Sequence, residues 1–174
     1  RDGKPAFYDA DDALGMSDLM KSYCAGLLKY APDYTYFMAP YINSYKRFVK
    51  GTFAPTRIVW SVDNRTAGFR LCGDGSKAVR MECRVPGSDM NPQLAMAGML
   101  AAGIAGIKEG LTLEPPMTGD AYEGEKASIP SDLRAARAAL LNSDLLRSAF
   151  GDDVVVHYAR AAEWELEEFD RIVT

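Results

Sequence analysis

The sequence has a single histidine, His157, among 174 residues. That scarcity excludes a Ser-His-Asp triad assembled around a choice of histidines and a multi-histidine zinc site within the chain. His157 falls off the apolar stripe of its segment and reads as a surface or structural residue. The three cysteines, Cys24, Cys72 and Cys83, are odd in number and lack metal-ligand spacing. They fit a reducing, cytoplasmic compartment better than a disulfide framework. Basic charge is not in excess. The formal net charge of -4 argues against a sequence-independent nucleic-acid surface. The uncharged stretch over residues 93–107 is too short and too rich in Ala and Gly for a convincing membrane span. No signal peptide is visible. There is no internal repeat.

What is present is a chain with a globular composition, 48% hydrophobic and 25% charged, of a length that suits one domain with a real core. The first residue is Arg1 rather than Met, and the last residues continue a helical pattern. Both ends read as cut from something longer, so the expectation is a fragment.

Ser17 predicts a helix cap, with a helix to about Tyr30 burying Leu19, Met20, Tyr23, Leu27 and Leu28. Ala31-Pro32-Asp33 breaks it and starts a short helix through Met38. Residues 43–47 and 51–55 read as a basic, turn-rich connection. Asn91-Pro92 predicts a capped central helix to about Lys108, ended by Gly110. A loop follows over residues 113–130. Further helices start at Ser131 and at Ser143-Asp144, and a last one covers about residues 153–173. Its stripe is Val155, Ala159, Ala162, Leu166, Phe169 and Val173.

The most informative residues are Arg80, Glu82 and Arg84. They alternate with Val79, Met81, Cys83 and Val85. In a strand this puts the charges on one face, about 7 Å apart, and the apolar residues on the other. Residues 66–71 alternate likewise and place Arg70 on a polar face. Residues 72–76 read as the hairpin loop between. Residues 57–62 predict a third strand with Ile58, Trp60 and Val62 on one side. Short connections predict antiparallel pairing. Two readings of the charged face stand at this point. It is either an ordinary solvated face or a ribbon that gathers guanidinium groups around one carboxylate. Such a ribbon suits phosphate and carboxylate oxygens, with the acid able to share a divalent cation with a phosphate.

Four segments in order go further: Asn43-Ser44-Tyr45-Lys46-Arg47, then Asn64-Arg65-Thr66 with Arg70, then residues 77–84, then Asn91-Pro92-Gln93-Leu94-Ala95. Together they resemble the C-terminal part of the glutamine synthetase catalytic domain, closely over residues 1–107 and more weakly to residue 174. The resemblance implies an α+β fold, an antiparallel sheet with helices packed on one side, as a fragment of that domain. Residues 1–174 would be its C-terminal portion, with the N-terminal β-grasp domain and other metal ligands upstream.

The resemblance also implies roles. Arg47 and Arg84 look like glutamate-binding arginines. Arg65, in Asn-Arg-Thr where the family usually has Asn-Arg-Ser, resembles the catalytic arginine that reaches the transferring phosphate and the substrate. Arg70 and Lys77 match ATP-phosphate positions, with Arg80 beside them. Glu82 matches a ligand of Mg²⁺ or Mn²⁺. ATP and glutamate are the implied substrates, with ammonia or an organic amine as nitrogen donor, in a homo-oligomeric ring. No nucleic-acid or membrane partner is implied. Phe53 departs from the family, which usually places Glu before Ala-Pro in this flap to bind and deprotonate ammonium. Phe53 cannot accept a proton. Either it adapts the flap to an organic amine with an apolar portion, or it only packs the flap. Tyr122 lies in the loop where some bacterial members carry an adenylylated Tyr, among neighbours that differ. The implied activity is γ-glutamyl-amine ligation. Glutamine synthesis from ammonia and a non-catalytic structural role are the alternatives, and the isolated fragment is expected to be inactive.

Overall fold

A computed structural model describes residues 3–172. Six α-helices surround the apolar side of a small three-stranded sheet. Helix α1 (Asp18–Lys29) starts where the sequence predicts: the Ser17 hydroxyl accepts from the Met20 amide, satisfying a donor the first turn leaves free. Met20, Cys24, Leu27 and Leu28 are buried, whereas the expected core residue Leu19 is exposed. Helix α2 (Ala31–Met38) follows directly, with Pro32 in its first turn, where a missing amide costs nothing. Residues expected to be an irregular connection instead form a 3-10 helix, Ile42–Arg47. It is capped by reciprocal bonds between Tyr41 and Ser44.

The central helix α3 (Pro92–Lys108) has the Asn91 side chain accepting from the amides of Gln93 and Leu94. It lies against α1 backbone to backbone. A Cβ on Gly26 would stand 2.8 Å from the Gly106 Cα, and a Cβ on Gly106 would meet α1 equally closely. Small residues there let the helix axes approach and bring Ala102 into the core. Helices α4 (Leu133–Leu141), α5 (Asp144–Phe150) and α6 (Asp152–Ile172) close the far side. Asp132, rather than the expected Ser131, caps α4. Ser143 caps α5 and also donates to Asp33 on α2 (2.6 Å), tying the two helices. Val155, Ala159 and Ala162 of α6 are buried, Leu166 is half-buried and Phe169 is exposed. Val173, the last member of that stripe, lies outside the described residues.

The sheet has the order β1 (Trp60–Val62), β2 (Phe69–Cys72), β3 (Arg80–Cys83). β2 and β3 pair antiparallel, as expected, with Arg70 opposite Glu82. β1 and β2 pair parallel, Ser61 opposite Arg70, so the sheet is mixed and the all-antiparallel expectation is corrected. The strands are short enough for residues 63–68 to run the chain back. Asp63 turns it at φ 45°, and the Asn64 side chain accepts from the Thr66 amide. The first strand is shorter than expected because residues 56–58 bond to the loop at 127–129 instead. Trp60, Phe69, Leu71 and Val79 share one core with Leu27, Phe37 and Met38. Each large side chain so buried contributes about 1.5–3 kcal/mol. The opposite face carries Ser61, Arg70, Cys72, Arg80 and Glu82 and stays outside that core.

Candidate functional site

The register dictates the centre of the polar face. Glu82 stands across from Arg70, and Arg84 lies two residues further along. Glu82 is held from both sides: Arg84 Nη1 donates to Oε1 at 2.6 Å and Arg70 Nη1 to Oε2 at 3.4 Å. Burial pushes the Glu82 carboxyl up. The Arg84 hydrogen bond and the charges of Arg84 and Arg70 outweigh it and hold the group below the usual carboxylate range. Arg70 also donates from Nε to Asp63 Oδ1 at 3.1 Å.

Arg84 is the hub. Besides Glu82, it donates to the Arg65 carbonyl (3.1 Å) and the Phe53 carbonyl (3.0 Å). One guanidinium thereby joins the β3 carboxylate, the turn bearing Arg65 and the flap bearing Phe53. The Arg65 side chain is exposed and makes no hydrogen bond among the described residues. Lys77 is likewise exposed and uncommitted, at the head of β3. Arg80 is exposed and donates to the Ala78 carbonyl. Arg47 is half-buried and donates to the Val85 carbonyl, just beyond β3. Burial lowers its pKa, and Asp89 partly compensates. The structure thus joins Arg70, Glu82 and Arg84 directly, and Arg65 and Phe53 to them through their backbones. It puts Arg47 behind the end of β3. It does not bring Lys77 or Arg80 into the bonded cluster.

Phe53 sits at the flap tip with φ 57°, and its ring is exposed. The flap base is clipped to the loop at 113–130. The Tyr122 hydroxyl donates to the Ala54 carbonyl (3.1 Å), Lys50 pairs with Glu123, and the Ala121 amide donates to the Thr66 hydroxyl. Tyr122 is buried by this arrangement.

The sequence carries no signal for Asp63 as the second partner of Arg70, since it falls between the predicted strands over residues 57–62 and 66–71. Sequence reasoning missed Cys72, whose thiol lies 3.7 Å from Glu82 Oε2. The two-residue step from Arg70 carried that signal. Among the described residues no three His, Cys, Asp or Glu side chains converge as a metal cluster. Glu82 alone, with an arginine at each carboxylate oxygen, does not make a divalent-ion site within this chain.

The family model described as the glutamine synthetase catalytic domain matches residues 1–174, and the chain belongs to that family. It is 48% identical over 160 residues to a gamma-glutamylethanolamide synthetase, GlnA4, of Streptomyces coelicolor, a match covering 92% of this chain and 34% of that protein. It is 39% identical to the glutamine synthetase of Thermotoga maritima, over 100% of this chain and 42% of that one. The fold superimposes on a GmaS–ADP complex with a TM-score of 0.85 at 29% identity, over 97% of this chain and 40% of the other. The chain spans between about a third and two fifths of the length of these relatives. No helix among the described residues is long and apolar enough to cross a membrane.

Proposed function

We propose that the intact protein is an ATP-dependent carboxylate–amine ligase that joins the γ-carboxyl of glutamate to an amine. The reading rests on one observation: Arg84 binds Glu82 while holding the carbonyls of Arg65 and Phe53, so the anion-binding ribbon and the flap form one unit. A glutamate γ-carboxylate oxygen attacks the γ-phosphorus of ATP. The bond to the bridging oxygen breaks and ADP leaves. The amine nitrogen then attacks the γ-carbonyl carbon of the γ-glutamyl phosphate, inorganic phosphate departs, and the amine loses a proton to solvent or a nearby base.

Every stage concentrates negative charge, so fixed cations are the means of catalysis. The exposed Arg65 guanidinium is the mobile group that follows the transferring phosphoryl. Arg70, Lys77 and Arg80 neutralise ATP phosphates, and Arg47 and Arg84 take the glutamate. No enzyme nucleophile is required. Burial pushes the Cys83 and Cys24 thiols up to about 12 and keeps both neutral. In the intact protein a Mg²⁺ or Mn²⁺ would supply charge neutralisation at the phosphates; Glu82 would help hold it by giving up an arginine at one oxygen, and further ligands would come from the rest of the protein. The same division implies that residues 1–174 alone do not turn over substrate.

Phe53 makes an organic amine the favoured nitrogen donor. Its exposed ring offers apolar contact and a π-face, not a carboxylate. Ammonia is the second reading, favoured by the 39% identity to a glutamine synthetase. A non-catalytic role is the third; the retention of Arg47, Arg65, Arg70, Lys77, Glu82 and Arg84 opposes it. The deciding experiment compares ammonium with a panel of alkylamines, ethanolamine and polyamines in an ATP- and glutamate-dependent assay of the intact protein. The proposal expects higher kcat/KM for an organic amine. Efficient ammonia use without amine preference would replace it by the second reading, and no turnover by the third.

A further inference from the structure

Away from the ribbon, α2, the start of the 3-10 helix, the N-terminal end of α3 and α6 line an open cavity of about 340 Å³. Its wall holds five aromatic rings, those of Tyr36, Phe37, Tyr41, Tyr158 and Trp164, and two carboxylates, Asp89 and Glu165. Among the described residues no Lys or Arg lines it.

The two acids differ. Asp89 accepts from the Ser44 hydroxyl at 2.6 Å and lies close enough to Arg47 to offset part of the lowering that burial imposes on that guanidinium. Glu165 has no hydrogen bond or ion pair among the described residues. Its neighbours on α6 are all committed: Glu163 and Glu167 to Arg160, Glu168 to Arg171, Asp170 to Arg134. Glu165 therefore brings an uncompensated negative charge to an aromatic wall. Tyr36 adds a second polar group. The residue is 5% exposed, but its hydroxyl, without a hydrogen bond among the described residues, still reaches accessible space rather than being sealed in the core. Burial, with the Tyr41, Tyr158 and Glu165 groups around it, pushes that phenol up to about 12, so it remains a neutral hydroxyl.

We propose that this cavity binds a small organic cation of the alkylammonium class, its charge between Glu165 and the aromatic rings and its alkyl groups against Phe37 and Tyr158. An anion is excluded by two carboxylates without a lining cation. A small inorganic cation would shed water without enough oxygens to replace it, since most of the wall is ring and alkyl surface. A neutral apolar molecule would leave Glu165 uncompensated. Aromatic rings with an adjacent carboxylate attract alkylammonium ions through the ring quadrupole and direct charge together. This site is separate from the flap at Phe53 and stands whether or not the ligase reading holds.

The test is calorimetric titration of the intact protein with tetramethylammonium chloride, and in parallel with tert-butanol as a neutral molecule of similar shape, at constant ionic strength. The expected result is saturable binding of the cation and binding of the alcohol weaker by about tenfold or more. Glu165→Gln and Trp164→Leu, both at solvent-accessible positions of α6, should each weaken the cation by about fivefold or more while leaving the thermal midpoint unchanged. Phe53→Glu should leave cation binding intact. Equal binding of cation and alcohol, absence of cation binding, indifference to both α6 substitutions, or loss of binding in Phe53→Glu would each overturn the proposal.

Discussion

Arg84 Nη1 stands 2.6 Å from Glu82 Oε1, and the same guanidinium donates through Nη2 to the Phe53 carbonyl at 3.0 Å. A change at Glu82 should therefore act mainly on chemistry. Glu82→Gln keeps the shape but removes the charge. It should lower kcat of the intact protein by about a hundredfold or more, the scale seen when a charge-organising group is lost. The folded protein should survive, because a partly exposed pair stabilises by about 1 kcal/mol or less. The sign with pH follows from the depressed carboxyl of Glu82. The stability difference between the native protein and Glu82→Gln should be full above the ordinary carboxylate pKa and vanish as pH falls through the lowered one. Urea unfolding from pH 7 to pH 3 measures it.

Phe53→Glu places an acid in the flap. In the intact protein it should lower KM for ammonium by about tenfold while lowering kcat/KM for organic amines, about the range by which one pocket contact discriminates. Steady-state assays with both donors check it. An unchanged ratio would show that Phe53 only packs the flap.

Tyr122→Phe deletes one hydrogen bond, from the phenol to the Ala54 carbonyl. Its stability cost should be about 1 kcal/mol. Because that bond clips the flap base to the loop, KM for the amine should rise while the ATP affinity holds. Denaturant unfolding and a two-substrate kinetic grid separate these effects.

Gly26→Ala drives a methyl into α3 at Gly106, where no flexible side chain can yield. Helices α1 and α3 must separate, at about 1–3 kcal/mol. Gly110→Ala, past the end of α3 with open space around it but φ 62°, should cost less. Comparing their denaturation midpoints checks whether close helix contact, rather than glycine's backbone freedom, sets the larger penalty.

The capped helices were legible because their signals are local: Ser17, Asn91 and Ser143 each bond amides within three residues. The polar face was legible because alternation fixes which side chains share a side, and Arg70, Glu82 and Arg84 do meet. The parallel pairing of β1 was not, because it depends on the Asp63 turn and on residues 56–58 pairing with a segment about seventy residues away. Leu19 misled for a similar reason. Its helical spacing suits a core position, but which partners cover α1 is a tertiary matter. Arg84's bonds to the Arg65 and Phe53 carbonyls carry no sequence signal, since any residue supplies a carbonyl.

The most direct measurement follows oxygen. The intact protein is given ATP, an amine and glutamate carrying ¹⁸O in its γ-carboxylate, and the released phosphate is examined by mass spectrometry. Activation of the carboxylate by phosphoryl transfer predicts that the label moves from glutamate into phosphate in step with amide formation, and that Arg65→Ala suppresses both together. Amide formed without ¹⁸O in the phosphate would contradict it.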